Sequence, residues 1–286
     1  MTDFNDKIVM TEESMEEWIK EHKGDEVMDL NNWDVSNIEN MSGLFMDCKT
    51  LRELYISNWD VSKVEDMSDM FYCCENLKVL DISNWDVSNV EDMSDMFCCC
   101  ENLPALDIRN WNVSKVKNMS GMFNRCERLK DIYVSNWDVS NVEVMSGMFN
   151  YCRSLTRLNL SNWDVSNVEN MGFMFARCSK LNVLNITNWH LSNSAKVTEM
   201  FKYTSIPEAI VCSNDDTIDI LVNKIGVSPD RIFEPSIYAQ QCSRQRSQDD
   251  HVDIQTDFNQ LKNNYKELYE KYIELRERVI SNMINA

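Results

Sequence analysis

The side chain whose number and spacing most invite chemistry here is cysteine. The chain has eleven, and six stand at 48, 74, 100, 126, 152 and 178, one every 26 residues. If the chain coils once per 26 residues, those thiols stack within the separation of about 4.4–6.8 Å between Cα atoms that a disulfide needs. Cys98, Cys99 and Cys100 add three thiols in succession. Three neighbours on one short element point in different directions, and no C-x-x-C pair elsewhere completes a tetrahedral zinc set. Each cysteine of the 26-residue column also follows a phenylalanine by three residues, as Cys100 follows Phe97. That spacing marks the column as buried, apolar thiols. With no export signal in view, free thiols are expected rather than disulfides. Cys73 and Cys99 lie beside the column, and surface thiols open to oxidation are the lesser of the two readings for them.

Carboxylates come next. Asp34, Asp60, Asp86, Asp138 and Asp164 recur at one corner and suggest a calcium ladder. They lack the glycine and the dense oxygen spacing of a calcium loop. Bonding to nearby backbone amides accounts for them better. No carboxylate pair comes with a nucleophile, a base or a glycine-rich phosphate loop, and His22, His190 and His251 lie in unrelated contexts. The expectation is a chain that is not an enzyme, with no cofactor and no metal.

What must position these residues is the repeat itself. Tryptophan recurs at 33, 59, 85, 111, 137, 163 and 189, and phenylalanine at 45, 71, 97, 123, 149, 175 and 201. A fixed period this short signals a solenoid. Leu80 and Ile82 alternate with Val79 and Asp81, the pattern of a short half-buried strand. Stacked every 26 residues, such strands form a parallel sheet with one strand per turn. Asn32, Asn58, Asn84, Asn110, Asn136, Asn162 and Asn188 read as a ladder that satisfies backbone groups at the following bend. Ser88 and Glu91 have the spacing of a capping box, repeated in Ser36/Glu39, Ser62/Glu65, Ser140/Glu143 and Ser166/Glu169. With Val90, Met93, Met96, Phe97 and Cys100 on one stripe, this predicts a short helix over roughly 93–99. The fold class is therefore an α/β repeat: about seven turns, each a short parallel strand plus a short helix.

Leu77-x-x-Leu80-x-Ile82, followed by Asn84-Trp85-Asp86-Val87-Ser88-Asn89-Val90-x-x-Met93-Ser94-x-Met96-Phe97-x-x-Cys100-x-x-Leu103, resembles the repeat of the BspA-like leucine-rich-repeat surface proteins. Mycoplasma-type lipoproteins carry the same repeat. The resemblance covers about residues 26–205. It implies a leucine-rich-repeat-like solenoid with adhesion or protein-binding roles, often at a cell surface. This chain has Trp where many members have Phe. Its Asn-, Ile- and Asp-rich bias resembles the copies found in large DNA viruses.

The ends differ from the repeat. Residues 1–25 read as an N-terminal capping segment, with a helix over 11–23 capped by Thr11 and stopped at Gly24. The solenoid spans 26–205, its register ending at Ile206-Pro207. A C-terminal cap follows over 206–234, with a helix starting at Asp216 and ending at Gly226. Residues 235–253 read as a linker. From 254 to 284, Ile254, Leu261, Leu268 and Leu275 alternate with Phe258, Tyr265, Tyr272 and Val279 at 4-3 spacing, the seam of a coiled coil. That helix needs a partner, and a homo-oligomer formed through it is expected.

Net charge is −19, which argues against attraction to nucleic acid or an anionic membrane. No apolar run is long enough for a membrane span. Residues 1–10 lack the pattern of a signal peptide, so the expected location is intracellular, in a host cytoplasm or a virion. The charge is unevenly distributed. Residues 25–104 hold 18 acids against 4 bases, and residues 105–205 hold 8 acids against 12 bases. Asp69 and Asp95 give way to Gly121 and Gly147, and Cys73 and Cys99 to Arg125, Tyr151 and Arg177. Conserved columns build the scaffold, so function belongs to columns that vary. On the strand face Tyr55, Arg109 and Tyr133 are candidate partner contacts; Arg125, Tyr151 and Arg177 are others. The reading that follows is a non-catalytic scaffold for protein partners, or alternatively a surface or virion structural protein with an adhesion role.

Overall fold

The computed structural model describes residues 7–204 and 209–235. The elements run β1 (Ile8–Val9), α1 (Glu12–Glu21), β2 (Val27–Asp29), β3 (Trp33–Asp34), β4 (Glu53–Tyr55), β5 (Val79–Leu80), β6 (Ala105–Leu106), β7 (Asp131–Ile132), β8 (Arg157–Asn159), β9 (Val183–Asn185), β10 (Ala209–Val211), α2 (Asp215–Asp219), a π-helical segment (Ile220–Ile225), a 3₁₀ turn (Pro229–Arg231) and β11 (Ile232–Phe233). Among the described residues all strand pairings are parallel, and Leu54 lies opposite Leu80 as Leu158 lies opposite Leu184, one 26-residue step apart. The expected stacking of one strand per turn is therefore the architecture.

The strand side is not continuous. β2, β4 and β5 pair, β6 pairs with β7, and β8 to β11 form a third group. Between β5 and β6 the cause is Pro104. In the preceding turn the equivalent Lys78 donates its N–H to Arg52 O at 2.9 Å. Proline has no N–H to give.

Tryptophan and cysteine fasten each turn to the one before. The indole Nε1–H of Trp59 donates to Leu30 O at 2.8 Å and that of Trp137 to Ile108 O at 3.1 Å. Trp85, Trp111, Trp163 and Trp189 repeat the bond. The phenylalanines stack from Phe45 through Phe201 with ring centroids 5.3–6.1 Å apart. The column cysteines are buried and free, and their thiols also bond. Cys100 Sγ donates to Phe71 O at 3.3 Å and Cys126 Sγ to Phe97 O at 3.2 Å. In the last turn Thr204 takes the column, and its hydroxyl donates to Phe175 O at 2.6 Å. The column thus selects a small donor as well as an apolar body. Burial pushes the Cys48 thiol up to about 11 and the Cys178 thiol up to about 12, so these sulfurs stay protonated at neutral pH.

Two expectations about the turn are corrected. Asn84 and its column are exposed at the bend. The amide ladder runs instead through Asn89, Asn141 and Asn167, whose Nδ2 atoms donate to Ser62 O, Ser114 O and Ser140 O one turn back. The Asp86 column makes the expected Asx turns, with Ser88 N donating to Asp86 Oδ1 at 3.1 Å. The helix expected over 93–99 is absent; tight turns occupy that stretch.

Both ends of the core are covered. Thr11 caps α1 through a reciprocal pair of bonds with Ser14, and Met15 and Ile19 are buried. The C-cap is His22 rather than Gly24. His22 stacks on Trp18 at 3.7 Å, and Trp18 meets the edge of Trp33 at 5.2 Å, closing the tryptophan column. At the other end the strand register outlasts Pro207: β10 pairs with β9 with Ile210 opposite Leu184, and β11 adds beyond it. α2 is capped by Asn214, and Thr217 is its one fully buried polar side chain. Gly226, at φ 82°, ends the helical segment. The seam residues Phe258, Leu261, Tyr265, Leu268, Tyr272, Leu275 and Val279 lie outside the described residues.

Candidate functional site

The stretch where a helix was expected is the most unusual part of each turn. In the third copy Met96 N, Cys98 N and Cys100 N donate back to Met93 O, Asp95 O and Phe97 O, three overlapping turns. Asp95 and Cys99 sit third in the first and last of these, at φ 53° and 61°. A positive φ at that place is the signature of a type II turn. The intervening N–H groups leave the turn altogether. Met93, Asp95, Phe97 and Cys99 donate to Asn118 O, Ser120 O, Met122 O and Asn124 O of the next turn at 2.7–3.0 Å. A helix would have kept those donors to itself. Stacking of neighbouring turns therefore decides the local conformation.

This geometry lifts two columns onto an outer edge. One holds Gly43, Asp69, Asp95, Gly121, Gly147, Phe173 and Glu199, all at positive φ. Glycine suits the position, and at Gly121 an added Cβ would lie 2.0 Å from Asp95 Oδ1, so that carboxylate would have to move. The other column holds Asp47, Cys73, Cys99, Arg125, Tyr151, Arg177 and Tyr203 at φ 55–61°, and none is glycine. A left-handed backbone costs an ordinary residue roughly 1–2 kcal/mol. The fold accepts that cost seven times in succession at a column whose residues change along the axis. Strain kept in this way points to use.

Three residues picked from the sequence, Arg125, Tyr151 and Arg177, come together here. The guanidinium carbon of Arg177 lies 4.7 Å from the centroid of Tyr151 and 4.3 Å from that of Tyr203. Arg125 and Arg153 approach Tyr151 at 5.5 and 5.3 Å, and Lys202 approaches Tyr203 at 5.3 Å. Arg125 pairs with Glu101 at 3.0 Å and Arg153 with Glu127 at 3.7 Å. Arg177 has no carboxylate in reach among the described residues. Its cation is held between two rings, and a guanidinium in that setting can still receive a carboxylate or phosphate through its N–H groups. Tyr203, Arg153 and Lys202 were not picked from the sequence. Tyr203 follows Arg177 by one period, so the register alone signalled it.

The sheet-face candidates separate. Arg109 Nε bonds Asp107 Oδ1 at 2.9 Å and its guanidinium lies 5.1 Å from the Tyr133 ring, so those two meet. Tyr55 is buried, its hydroxyl on Glu53 Oε2 at 2.6 Å, two turns from Arg109.

The acidic half of the edge has its own chemistry. Cys73 is half-buried, and burial, then the neighbouring Cys99, pushes its thiol up to about 11. At neutral pH it is held as the protonated thiol, which slows its oxidation without preventing it. Cys98 Sγ lies 3.7 Å from Cys99 Sγ. Burial, then the charges of Asp92 and Asp66, raises the Asp69 carboxyl, and burial, then Asp69, raises that of Asp95. A raised folded-state value means the folded chain binds these protons more tightly than the unfolded chain. Stability is then withdrawn as pH climbs from the ordinary value near 3.9 through the raised one. The double variant Asp69→Asn/Asp95→Asn should melt higher than the parent at about pH 7 and lose that advantage by about pH 3. Thermal melts across that range check this, and an advantage that persists at the acid end would show that charge is not its source.

Short parallel strands stacked once per turn around a buried leucine, phenylalanine and methionine core define a leucine-rich-repeat-like solenoid. The family described as DUF285, Mycoplasma protein of unknown function, matches residues 13–130 and 99–210, and the chain belongs to it. No curated protein matches the chain. Among the solved structures similar to it are one titled as the crystal structure of a TLR13–ssRNA13 complex, at 15% identity and TM-score 0.28 over 72% of this chain, and a leucine-rich-repeat protein of Leptospira interrogans, at 12% identity and TM-score 0.23 over 57%. This chain spans 36% and 57% of their lengths.

Proposed function

We propose that this chain is a non-catalytic scaffold for protein–protein interaction and that its binding surface is the outer turn edge. The observation that carries this reading is the edge column from Asp47 to Tyr203, in which ordinary side chains are kept at φ 55–61° and change from acidic and thiol to arginine and tyrosine along the axis. Arginine and tyrosine are enriched in interfaces because each offers large area and hydrogen bonds together. An Arg–Tyr ladder already packed against itself also loses little side-chain freedom on binding. The test is affinity purification of the full chain from extracts of its source. Arg177→Glu should reduce the captured proteins at least about tenfold, while Arg109→Ser on the sheet face should leave them in place. Capture that survives Arg177→Glu overturns the assignment to the turn edge.

A further inference from the structure

We infer that the turn edge binds a second copy of this chain, antiparallel, about a two-fold axis lying between the Cys99 and Arg125 turns. The inference rests on the turn edge being the interaction surface and adds the identity of its occupant. A two-fold contact uses the same patch on both copies, so the patch must complement its own reversed image. Reversal about that point places Arg177 of the second copy opposite Asp47, Tyr151 opposite Cys73, and Arg125 opposite Cys99. In the column two residues further along the chain it places Arg153 of the second copy opposite Glu75.

The match holds in charge and in size. Arg177 has no carboxylate of its own in reach among the described residues, and Asp47 is exposed with Lys49 at 3.8 Å. Arg153 holds Glu127 at 3.7 Å and Glu75 is held by Lys49 at 3.3 Å, so this second pairing competes with ion pairs inside each chain and Arg177–Asp47 carries the charge match. Glu101 would face Glu127 of the second copy, and each is paired within its own chain, to Arg125 and to Arg153. In the other edge column Phe173, 42% exposed, falls opposite Gly43. A Cβ at Gly43 would meet only Met46, at 3.8 Å, so the bulky apolar ring faces open space. Each pairing occurs twice in the dimer.

Seven turns at about 4.8 Å make an edge roughly 30 Å long. At a width of about 15 Å the pair would bury on the order of 900 Å², below the usual size of a stable interface. The association should therefore be weak and fall with added salt.

Site-directed cross-linking of the full chain tests the geometry. Tyr151→Cys has no cysteine beside it in its own column, since its neighbours there are Arg125 and Arg177. Under copper-phenanthroline oxidation it should form a covalent dimer, and that dimer should be lost in a Cys73→Ser background. Asp47→Arg or Arg177→Asp, each added to Tyr151→Cys, should reduce the cross-link at least fivefold by opposing like charges at both ends. Mixing those two charge variants restores opposite charges at both contacts, so the cross-link should return between unlike chains. Absence of the Cys73-dependent cross-link, or a cross-link indifferent to the charge changes, overturns the two-fold pairing, including when the chain is joined elsewhere. If it falls while Arg177→Glu still abolishes capture of other proteins, the turn edge remains the binding surface and its occupant is a different acidic partner.

Discussion

Trp137→Ala should lower the stability of the full chain by about 3–5 kcal/mol, the range for removing a buried aromatic side chain. Trp137 is 1% exposed and stacks with Trp111 and Trp163, both at 6.4 Å. Its indole also supplies the N–H that Ile108 O accepts. Trp137→Phe keeps most of the apolar area and loses only the donor, so it should cost about 1–2 kcal/mol. The site lies in mid-solenoid, where each turn is held by its neighbours on both sides. Urea unfolding of the alanine variant should therefore lose its single transition and separate into two, one for each side of the breach. A loss below about 1 kcal/mol would mean that the tryptophan column does not couple the turns.

The second large effect belongs to Thr217. Its hydroxyl accepts Leu191 N–H at 3.0 Å and donates to Trp189 O at 2.8 Å. It therefore serves two backbone groups at the edge of the last tryptophan turn. Thr217→Val preserves the shape and deletes both bonds. A buried group left without its partner costs about 1–3 kcal/mol, so the pair should cost about 2–4 kcal/mol. Thr217→Ser keeps the hydroxyl and should cost much less. Hydrogen exchange at the Leu191 amide reads the local effect: protection should fall in the valine variant and persist in the serine variant. Equal protection in both would assign the stability of this end to apolar packing by α2.

The columns that point inward were legible because their cause is local to each position. A residue that must be apolar in every turn repeats in every turn, so Trp85, Phe97, Met96 and Leu103 announced the core. The strand at Val79–Leu80 was legible for the same reason. The helix over 93–99 was not, because Val90, Met93, Met96, Phe97 and Cys100 suit a helical stripe and a string of overlapping turns equally. What separates the two is where Asp95 N–H and Phe97 N–H go, and they go to another turn. Gly43, Gly121 and Gly147 were the available signal, since three glycines within supposed helices would weaken each by about 1 kcal/mol. The Asn84 ladder failed similarly: asparagine at a bend can turn inward to the backbone or outward to water, and its neighbour Asp86 does the inward work. Arg177 was legible as a departure from the pattern, but its clasp between Tyr151 and Tyr203 depends on how neighbouring turns stack.

The hydrogen bonds that replaced the helix all run one way. Gly43, Asp69, Asp95, Gly121, Gly147 and Phe173 each donate to the following turn, and three neighbouring columns do the same. In an ordinary sheet such dipoles alternate and cancel. Here four chains of peptide units point their N–H groups toward the C-terminal end and their carbonyls toward the N-terminal end. The turn edge is thus polarised along its length in the manner of an α-helix laid in reverse, with its positive pole at the Tyr203 end. A helix normally sets acidic side chains against its positive pole. This edge sets acids at the negative pole and Arg177 and Lys202 near the positive one, so backbone and side chains reinforce one field. An approaching anion is guided toward the basic end by the fold as well as by its arginines.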